Sequence, residues 1–231
     1  MGIKLVVLDM AGTTVHDEDF VNVALQNALM EQNVDCSRDD INSVMGMAKP
    51  LAIKLLLEMR AKDKESITNE LVSEIHTSFQ NKMVDFYDNS QTIKEIEGVS
   101  EAFRQFNKMN IKVAIDTGFD RRIANAIFQR VGWIENGLVD YTVTSDEVEN
   151  GRPHPDMVFK AMKHFDISDA KEVVKVGDTP SDLNEGNNAG CGLNIAVLSG
   201  ACTKEELIIC PHSHILDSVA QIPELLKGLL L

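Results

Sequence analysis

Four short segments of this 231-residue chain combine glycine with a carboxylate or a guanidinium group. In chain order they read LDMAGTT, IDTG, GRP and VGDTPSD. The first presents Asp9 at the end of an apolar run, as a carboxylate that accepts a phosphoryl group would be presented. The last offers Asp178, and Mg²⁺ prefers such oxygen ligands while keeping positions for water and substrate phosphate. The pattern therefore predicts magnesium-dependent phosphoryl chemistry at Asp9.

Other residues of these segments fit a site for a phosphate group. Backbone N–H groups and hydroxyls can hold phosphate oxygens, and the residues expected to supply them are Gly12, Thr13, Thr117 and Gly118. Arg152 would act as a fixed cation between the phosphate and Asp9. Asp182, one helical turn after Asp178, would orient metal-bound water.

Each of these residues has an ordinary structural explanation when it is taken alone. An aspartate or threonine after a strand commonly caps the next helix, and a lone arginine commonly forms a surface ion pair. The order of the four segments and their placement at expected strand ends favour a common site, because ligands bind at the carboxyl ends of parallel strands.

Short apolar runs rich in β-branched residues must position these segments. The runs that predict buried parallel strands are residues 3–8, 111–115, 173–176 and 193–198. Residues 141–143 are a weaker fifth candidate, and residues 214–216 are a possible sixth. We therefore expect an α/β fold whose core is a Rossmann-like, doubly wound parallel sheet.

A long helical stretch separates the first two runs. About 100 residues lie between them, whereas a simple crossover needs only roughly 30. Helical periodicity fills the gap over residues 20–31, 38–44, 51–60 and 67–87. An all-helical insertion explains this pattern and predicts a core of residues 1–14 and 94–231 with a cap of residues 15–93. The chain crossings near 15–17 and 89–93 are candidate hinges.

The charge balance restricts the possible partners. A formal net charge of -14 argues against nucleic acid or an anionic membrane, because clustered lysine and arginine bind such polyanions. No stretch approaches the roughly 18 apolar residues of a membrane helix. Four separated cysteines without a C-x-x-C pair fit a reduced compartment. We expect a cytoplasmic protein that acts on a small anionic substrate.

Together, the four segments resemble the signature motifs of the haloacid dehalogenase superfamily, whose members transfer phosphoryl groups with an aspartate nucleophile and Mg²⁺. The helical insertion resembles the type 1 (C1) cap of that superfamily. The resemblance implies that Asp9 is the nucleophile. It also implies a metal site formed by Asp9, Ala11, Asp178 and Asp182.

Two departures from the common superfamily pattern narrow the resemblance. Ala11 stands where most of its phosphatases carry a second aspartate, and Arg152 stands where most carry lysine. Both features are typical of phosphonoacetaldehyde hydrolases (phosphonatases) and phosphonatase-like hydrolases. The cap segment MGMAKP also resembles the phosphonatase segment that carries a Schiff-base lysine. That correspondence assigns Met45 and Gly46 to the substrate site and Lys49 to the Schiff base.

The residues around Lys49 are compatible with that role. Pro50 suits the first position of a helix, so Lys49 would cap the helix of residues 51–60 beside the positive end of its dipole. There the amine would lose its proton more easily and could attack an aldehyde. A solvated surface lysine is the alternative interpretation.

The resemblance implies a mechanism that needs no acid at Ala11. An iminium between Lys49 and the substrate aldehyde accepts the electrons of the breaking C–P bond. Asp9 attacks phosphorus, an enamine leaves, and water hydrolyses the aspartyl phosphate. Two positions differ from phosphonatases, because Ala52 replaces a histidine and Phe119 replaces a tyrosine. A phosphate-ester phosphatase of the phosphoglycolate type is therefore the alternative.

Two other classes fit the sequence less well. A phospho-acceptor domain similar to a response regulator also has a strand-end aspartate and Mg²⁺, but the helical cap and Arg152 argue against it. A dinucleotide-binding domain would need G-x-G-x-x-G after the first strand, where only one glycine is found. The apolar cap helices could pair in a homodimer, as is usual in phosphonatase relatives.

Overall fold

A parallel six-stranded sheet forms the centre of the computed structural model, which describes residues 2–17, 19–61, 64–89 and 93–229. The strands are β1 (Leu5–Leu8), β2 (Lys112–Thr117), β3 (Tyr141–Thr144), β4 (Val173–Gly177), β5 (Leu193–Val197) and β6 (His214–Leu216). Their order is β3-β2-β1-β4-β5-β6, the doubly wound arrangement. The α/β fold expected from the sequence is confirmed, including its two weaker strands.

The register of the three central strands determines where the site forms. Leu8 at the end of β1 lies opposite Ile115 on β2 and Val176 on β4. The backbone N–H of Asp9 still donates to the Val176 carbonyl, at 3.0 Å. The loops that follow β1, β2 and β4 therefore leave the sheet at the same level and meet at one edge.

Helices cover both faces of the sheet. In the core they are α5 (Val99–Lys108), α6 (Arg121–Val131), α7 (Asp156–His164), α8 (Pro180–Ala189), α9 (Lys204–Leu207) and α10 (Ile222–Leu229). Alternate residues of β1 enter different apolar clusters, with Val6 and Leu8 in one and Leu5 and Val7 in the other. Because both faces are covered, all four positions are fully buried, which is why the strand reads as an unbroken apolar run.

The region between β1 and α5 is helical, as expected. It contains α1 (Phe20–Met30), α2 (Arg38–Asn42), α3 (Lys49–Arg60) and α4 (Asn69–Asn89). The buried stripe of α4 recurs every fourth residue, at Ile75, Phe79, Met83 and Tyr87. Through this stripe α4 packs between the cap helices α1 and α3 and the core helix α6.

The chain enters and leaves the cap at adjacent points. The His16 N–H donates to the Lys94 carbonyl at 3.1 Å, and the Ile96 N–H donates to the Thr14 carbonyl at 2.9 Å. Residues 90–92 of the second expected hinge lie outside the described residues. The domain boundaries at 14/15 and 93/94 and the hinge behaviour stay predictions.

Within the described ranges, no helix combines the length and apolar character needed to cross a membrane. The cytoplasmic location and the homodimer through the cap stay predictions.

Candidate active site

Three carboxylates meet at the sheet edge where β1 and β4 end. One oxygen from each of Asp9, Asp178 and Asp182 lies within 4.8 Å of the others, and all three side chains are buried. Asp182 is fixed by a capping box at the start of α8, where its Oδ2 accepts from the Thr179 N–H at 3.2 Å. The fold therefore brings together the three aspartates expected to hold a metal.

The crowding of these carboxylates fits a divalent cation. Burial, followed by the charges of Asp9 and Asp182, raises the pKa of Asp178 well above its usual range. Asp178 accepts from the Thr13 hydroxyl at 2.7 Å and from the Ala201 N–H at 2.8 Å. Among the described residues no cationic side chain pairs with it. A bound Mg²⁺ would neutralise this cluster, and an all-oxygen ligand set matches its preference.

Two glycines permit close packing around Asp178. A Cβ at Gly12 would lie 2.5 Å from Asp178 Oδ2, and one at Gly200 would collide with the same oxygen. Gly12 also has φ +83°, a conformation that other residues rarely adopt. Gly12 is therefore required for the close packing of the Asp178 carboxylate.

Arg152 holds Asp9 from behind. Its Nη1 donates to Asp9 Oδ1 at 2.5 Å, while Nη2 and Nε donate to Asp116 (2.5 Å) and Glu185 (2.9 Å). Nη1 also lies 2.9 Å from Asp182 Oδ1, without the alignment of a hydrogen bond. Arg152 is fully buried and does not line the cavity described below, so its contacts in this structure position the Asp9 carboxylate.

Lys175 on β4 completes the buried charge network and was not expected from the sequence. Its ammonium contacts Asp116 at 2.5 and 2.7 Å and Glu185 at 2.9 Å. Burial raises the pKa of Asp116, but Arg152 and Lys175 outweigh this effect and lower it to about 2. Burial, with the neighbouring charge of Asp116, raises the pKa of Glu185 to about 8. The sequence feature that could have revealed this network is a lysine inside an apolar strand, VVKVG.

The Asp9 carboxyl is ionised near neutral pH in this environment. Burial raises the pKa of Asp9 to about 6, and the positive charge of Arg152 opposes that rise. Above that pH the Asp9 carboxylate carries the charge that a nucleophile needs.

A cavity of about 190 Å³ lies between the carboxylate cluster and the cap. The expected site residues that line it are Asp9, Ala11, Gly12, Met45, Gly46, Lys49, Thr117, Gly118 and Asp178. Thr13, Arg152 and Asp182 lie behind the cavity wall, where Thr13 and Arg152 contact the carboxylates that line it. The Thr13 hydroxyl donates to Asp178 in this structure, and the phosphate-binding role of Thr13 stays a prediction.

Lys49 presents an amine to this cavity from the cap. The side chain is 3% exposed, and its Nζ lies 5.4 Å from the ring centroid of Phe119 and 5.9 Å from that of Phe79. Burial lowers the pKa of Lys49 to about 8, although the carboxylates of Asp17 and Asp9 oppose the change. Lys49 is the first residue of α3 rather than its cap. It is not the solvated lysine of the alternative interpretation.

The loop before Lys49 packs closely on the core because glycines lie at the points of contact. A Cβ at Gly118, after β2, would lie 2.7 Å from the Met47 carbonyl oxygen. A Cβ at Gly46 would collide with the Thr179 hydroxyl, after β4. Because glycines occupy both positions, the cap loop closes the cavity by direct contact with the loops that carry the site.

The polar cap wall of the cavity was also not expected from the sequence. Asp19 accepts from Arg38 Nη2 at 2.6 Å and from the Asn22 amide at 2.8 Å. Asp17 accepts from the Val21 N–H at 3.2 Å, at the start of α1. These residues resembled ordinary helix-start residues, and nothing local in the sequence showed that α1 begins at the cavity.

Comparison with known proteins identifies the family of this chain. Residues 3–190 match the model of the haloacid dehalogenase-like hydrolases. A phosphonoacetaldehyde hydrolase of Parabacteroides distasonis is 33% identical over 194 residues, which cover 80% of this chain and 72% of that protein.

Two solved structures share the fold over nearly the whole chain. A phosphonoacetaldehyde hydrolase-like protein from Oleispira antarctica superposes with a TM-score of 0.81 at 20% identity, covering 99% of this chain and 92% of the other. A predicted phosphoglycolate phosphatase from Haemophilus somnus gives 0.79 at 18% identity, covering 96% and 97%. The chain belongs to the haloacid dehalogenase-like hydrolases and is a relative of the phosphonoacetaldehyde hydrolases.

Proposed function

We propose that this chain is a Mg²⁺-dependent phosphonatase-like hydrolase that cleaves the C–P bond of phosphonoacetaldehyde or a related aldehyde-bearing phosphonate. The observation that carries the proposal is Lys49, a buried amine with a pKa lowered to about 8 that faces the same cavity as Asp9. The relation to named phosphonoacetaldehyde hydrolases supports the same substrate class.

Lys49 of the cap allows the C–P bond to break by forming an iminium with the substrate. The Lys49 amine attacks the aldehyde carbon and, with loss of water, forms an iminium. When the C–P bond breaks, its electron pair moves onto the carbon chain and is delocalised to the iminium nitrogen, which gives an enamine. Because this leaving group is stabilised without a proton on oxygen, the acid that Ala11 lacks has no task.

The core residues receive the phosphoryl group. Asp9, held by Arg152, attacks phosphorus and forms an aspartyl phosphate that water then hydrolyses. Asp9, Asp178 and Asp182, with the main chain of Ala11, would hold the metal. Bound Mg²⁺ supplies charge neutralisation, so that a dianionic phosphonate can approach three carboxylates.

A phosphate-ester phosphatase, of the phosphoglycolate type, is the second candidate. Ala52 and Phe119 favour it, because they leave the described cavity without the histidine and tyrosine that the phosphonatase resemblance would supply. In that case Lys49 would bind a substrate anion as an ammonium and would form no covalent bond.

Reductive trapping separates the two candidates. We expect borohydride, added with phosphonoacetaldehyde, to label Lys49 irreversibly, as detected by peptide mass spectrometry. Lys49→Ala should lose both the label and the release of phosphate from phosphonoacetaldehyde. Lys54→Ala is the matched control, because Lys54 is exposed on the same helix. An unlabelled enzyme whose Lys49→Ala variant still hydrolyses phosphoglycolate would establish the phosphatase and overturn the phosphonatase.

A further inference from the structure

Iminium formation at Lys49 requires several proton transfers. The attacking nitrogen must lose a proton, the carbonyl oxygen must gain one, and the departing hydroxyl must gain another. A side chain that exchanges protons near neutral pH must therefore reach the nitrogen and the oxygen in turn. The residue one turn beyond Lys49 on α3 is Ala52, which is fully buried and carries no proton.

Few candidates for this task line the cavity. In the described part of the chain its titratable side chains are Asp9, Asp17, Asp19, Arg38, Lys49 and Asp178. Asp9 is assigned to the attack on phosphorus and Asp178 to the metal. Asp19 is paired with Arg38 at 2.6 Å, and a guanidinium releases no proton. Asp17 is the remaining carboxyl.

We propose that the Asp17 carboxyl transfers the protons of iminium formation at Lys49. This inference rests on the proposed function and adds a catalytic residue to it. Asp17 lies at the start of α1, anchored by the N–H groups of Phe20 and Val21, and borders the same cavity as Lys49. Of the two carboxylates that act on the Lys49 amine, Asp17 has the larger effect and Asp9 the smaller.

The surroundings of Asp17 are suited to proton exchange. Burial raises the pKa of Asp17, and Lys49 opposes the rise while Asp19 adds to it. The Tyr87 hydroxyl is also near, but burial raises its pKa far above neutral, so it stays protonated. The two members of the pair therefore have pKa values shifted toward each other, which makes the exchange of a proton between them easier.

The proton balance closes within the pair. The Lys49 ammonium gives a proton to the Asp17 carboxylate, and the free amine attacks the aldehyde carbon. Asp17 protonates the resulting alkoxide, takes a proton from the nitrogen, and gives it to the hydroxyl that leaves as water. The products are the iminium, one water and the Asp17 carboxylate. No outside acid or base is consumed.

The test measures the rate of reductive labelling of Lys49 by phosphonoacetaldehyde and cyanoborohydride. Asp17→Asn keeps the acceptor for the Val21 N–H and removes the acid, so labelling should slow by roughly 100-fold. Asp39→Asn, the control, should stay within about threefold, because Asp39 is exposed on α2 and does not line the cavity. Formate should partly restore the rate of Asp17→Ala, which a structural role would not allow.

The pH dependence gives a second readout. The reactive pair holds one shared proton, so the wild-type rate should decline as pH rises through about 8, where Lys49 loses it. In Asp17→Asn no carboxyl can take up the Lys49 proton and return it, so the rate should rise with pH as Lys49 becomes a free amine and then stay level. Asp9 and Arg152, whose charges also act on Lys49, are unchanged in both proteins.

The outcomes separate this inference from the proposed function. If the wild type is never labelled, the Schiff-base function itself fails. If the wild type is labelled and Asp17→Asn has the same rate and pH profile, the function stands and the role of Asp17 is overturned. If Asp17→Asn does not fold, as judged by thermal unfolding, Asp17→Ser carries the same test with a shorter acceptor.

Discussion

The two halves of the candidate site use opposite electrostatic arrangements. On the core side, Arg152 and Lys175 neutralise carboxylates through contacts of 2.5 to 2.9 Å with Asp9, Asp116 and Glu185. On the cap side, the Lys49 amine faces two aromatic rings and forms no ion pair within the described chain. The core has many charge contacts around the Asp9 carboxylate, whereas the cap keeps the Lys49 amine poorly solvated.

This difference suits the two nucleophiles that the proposed function requires in one cavity. A carboxylate that attacks phosphorus must stay charged, and Arg152 maintains that charge against burial. An amine that attacks an aldehyde must become neutral, and burial of Lys49, which outweighs the charges of Asp17 and Asp9, promotes that change. Each half has the environment that its own reaction needs.

The variant with the largest expected effect, Asp9→Asn, should separate phosphoryl transfer from iminium formation. Asp9→Asn should lower turnover of phosphonoacetaldehyde by on the order of 10⁴-fold or more, because the nucleophile is lost. Labelling of Lys49 by borohydride should persist, because the iminium forms at the cap. Turnover and trapping are measured on the same preparation. Loss of labelling together with turnover would show that the halves are not independent.

The core network should be sensitive to loss of one cation. Lys175→Met leaves Asp116 and Glu185 short of a buried partner and should destabilise the fold by about 3 to 5 kcal/mol. Lys112→Met is the control, since its ion pair with Asp140 is exposed and should contribute less than about 1 kcal/mol. Urea unfolding measures both variants. Equal losses would contradict the importance assigned to the buried network.

Metal binding should stabilise the protein in a pH-dependent manner. Burial raises the pKa of Asp9 from 3.8 to about 6, and Asp178 is shifted in the same direction. The metal-free fold therefore binds these protons more tightly than the unfolded chain and loses stability as pH rises from about 4 through about 6.

Mg²⁺ binds the ionised carboxylates, so its stabilising effect should be larger at pH 8 than at pH 5. At 100 times its Kd the increase is about 2.7 kcal/mol, measurable by thermal unfolding. Asp178→Asn should abolish the increase while stabilising the metal-free protein, because it removes a carboxylate without a cation partner. A Mg²⁺ effect that survives this substitution would contradict the assigned site.

A smaller effect is expected where the cap loop meets the core. Gly118→Ala places a Cβ against the Met47 carbonyl, so the loop must shift, at about 1 to 3 kcal/mol. The value of kcat/KM for phosphonoacetaldehyde should fall about tenfold, because Lys49 follows this loop. Gly228→Ala on α10 is the control, since its Cβ meets nothing within 4 Å. Unchanged kinetics for Gly118→Ala would show that the loop contact is not needed for catalysis.

Most of the fold was predictable because its signals are local and repeated. Buried parallel strands read as apolar runs, and all six candidates were found in the structure. The predicted start of α3, at residue 51, was less accurate, because the helix begins at Lys49. Lys49 belongs to the helix because Pro50 fits within its first turn, where the missing N–H is not needed.

From the residues alone, the grouping of the site was predictable where a motif follows a strand, whereas Met45, Gly46 and Lys49 of the cap were expected at the cavity from the family resemblance. Asp9 and Asp178 come together because their strands are neighbours in the sheet. Lys175 and Glu185 sit inside a strand and a helix, where a charge becomes meaningful only through contacts far along the chain. Asp17 resembled a helix-start residue because it is one, and its position beside the cavity depends on how the cap packs.

The two chain crossings between cap and core lie side by side, and Asp17 and Lys49 lie at different distances along the chain from them. Val15 forms an antiparallel β-bridge with Glu95, and this bridge is the tether between cap and core. Asp17 follows Val15 by two residues, whereas Lys49 lies much further along the cap, at the start of α3. Any rotation of the cap about this tether would carry the amine through a wide arc while the carboxyl hardly moves. Asp17 and Lys49 would then line one cavity only when the loop around Gly46 rests on the core, so closure of the cap would bring the amine and the carboxyl to the same site.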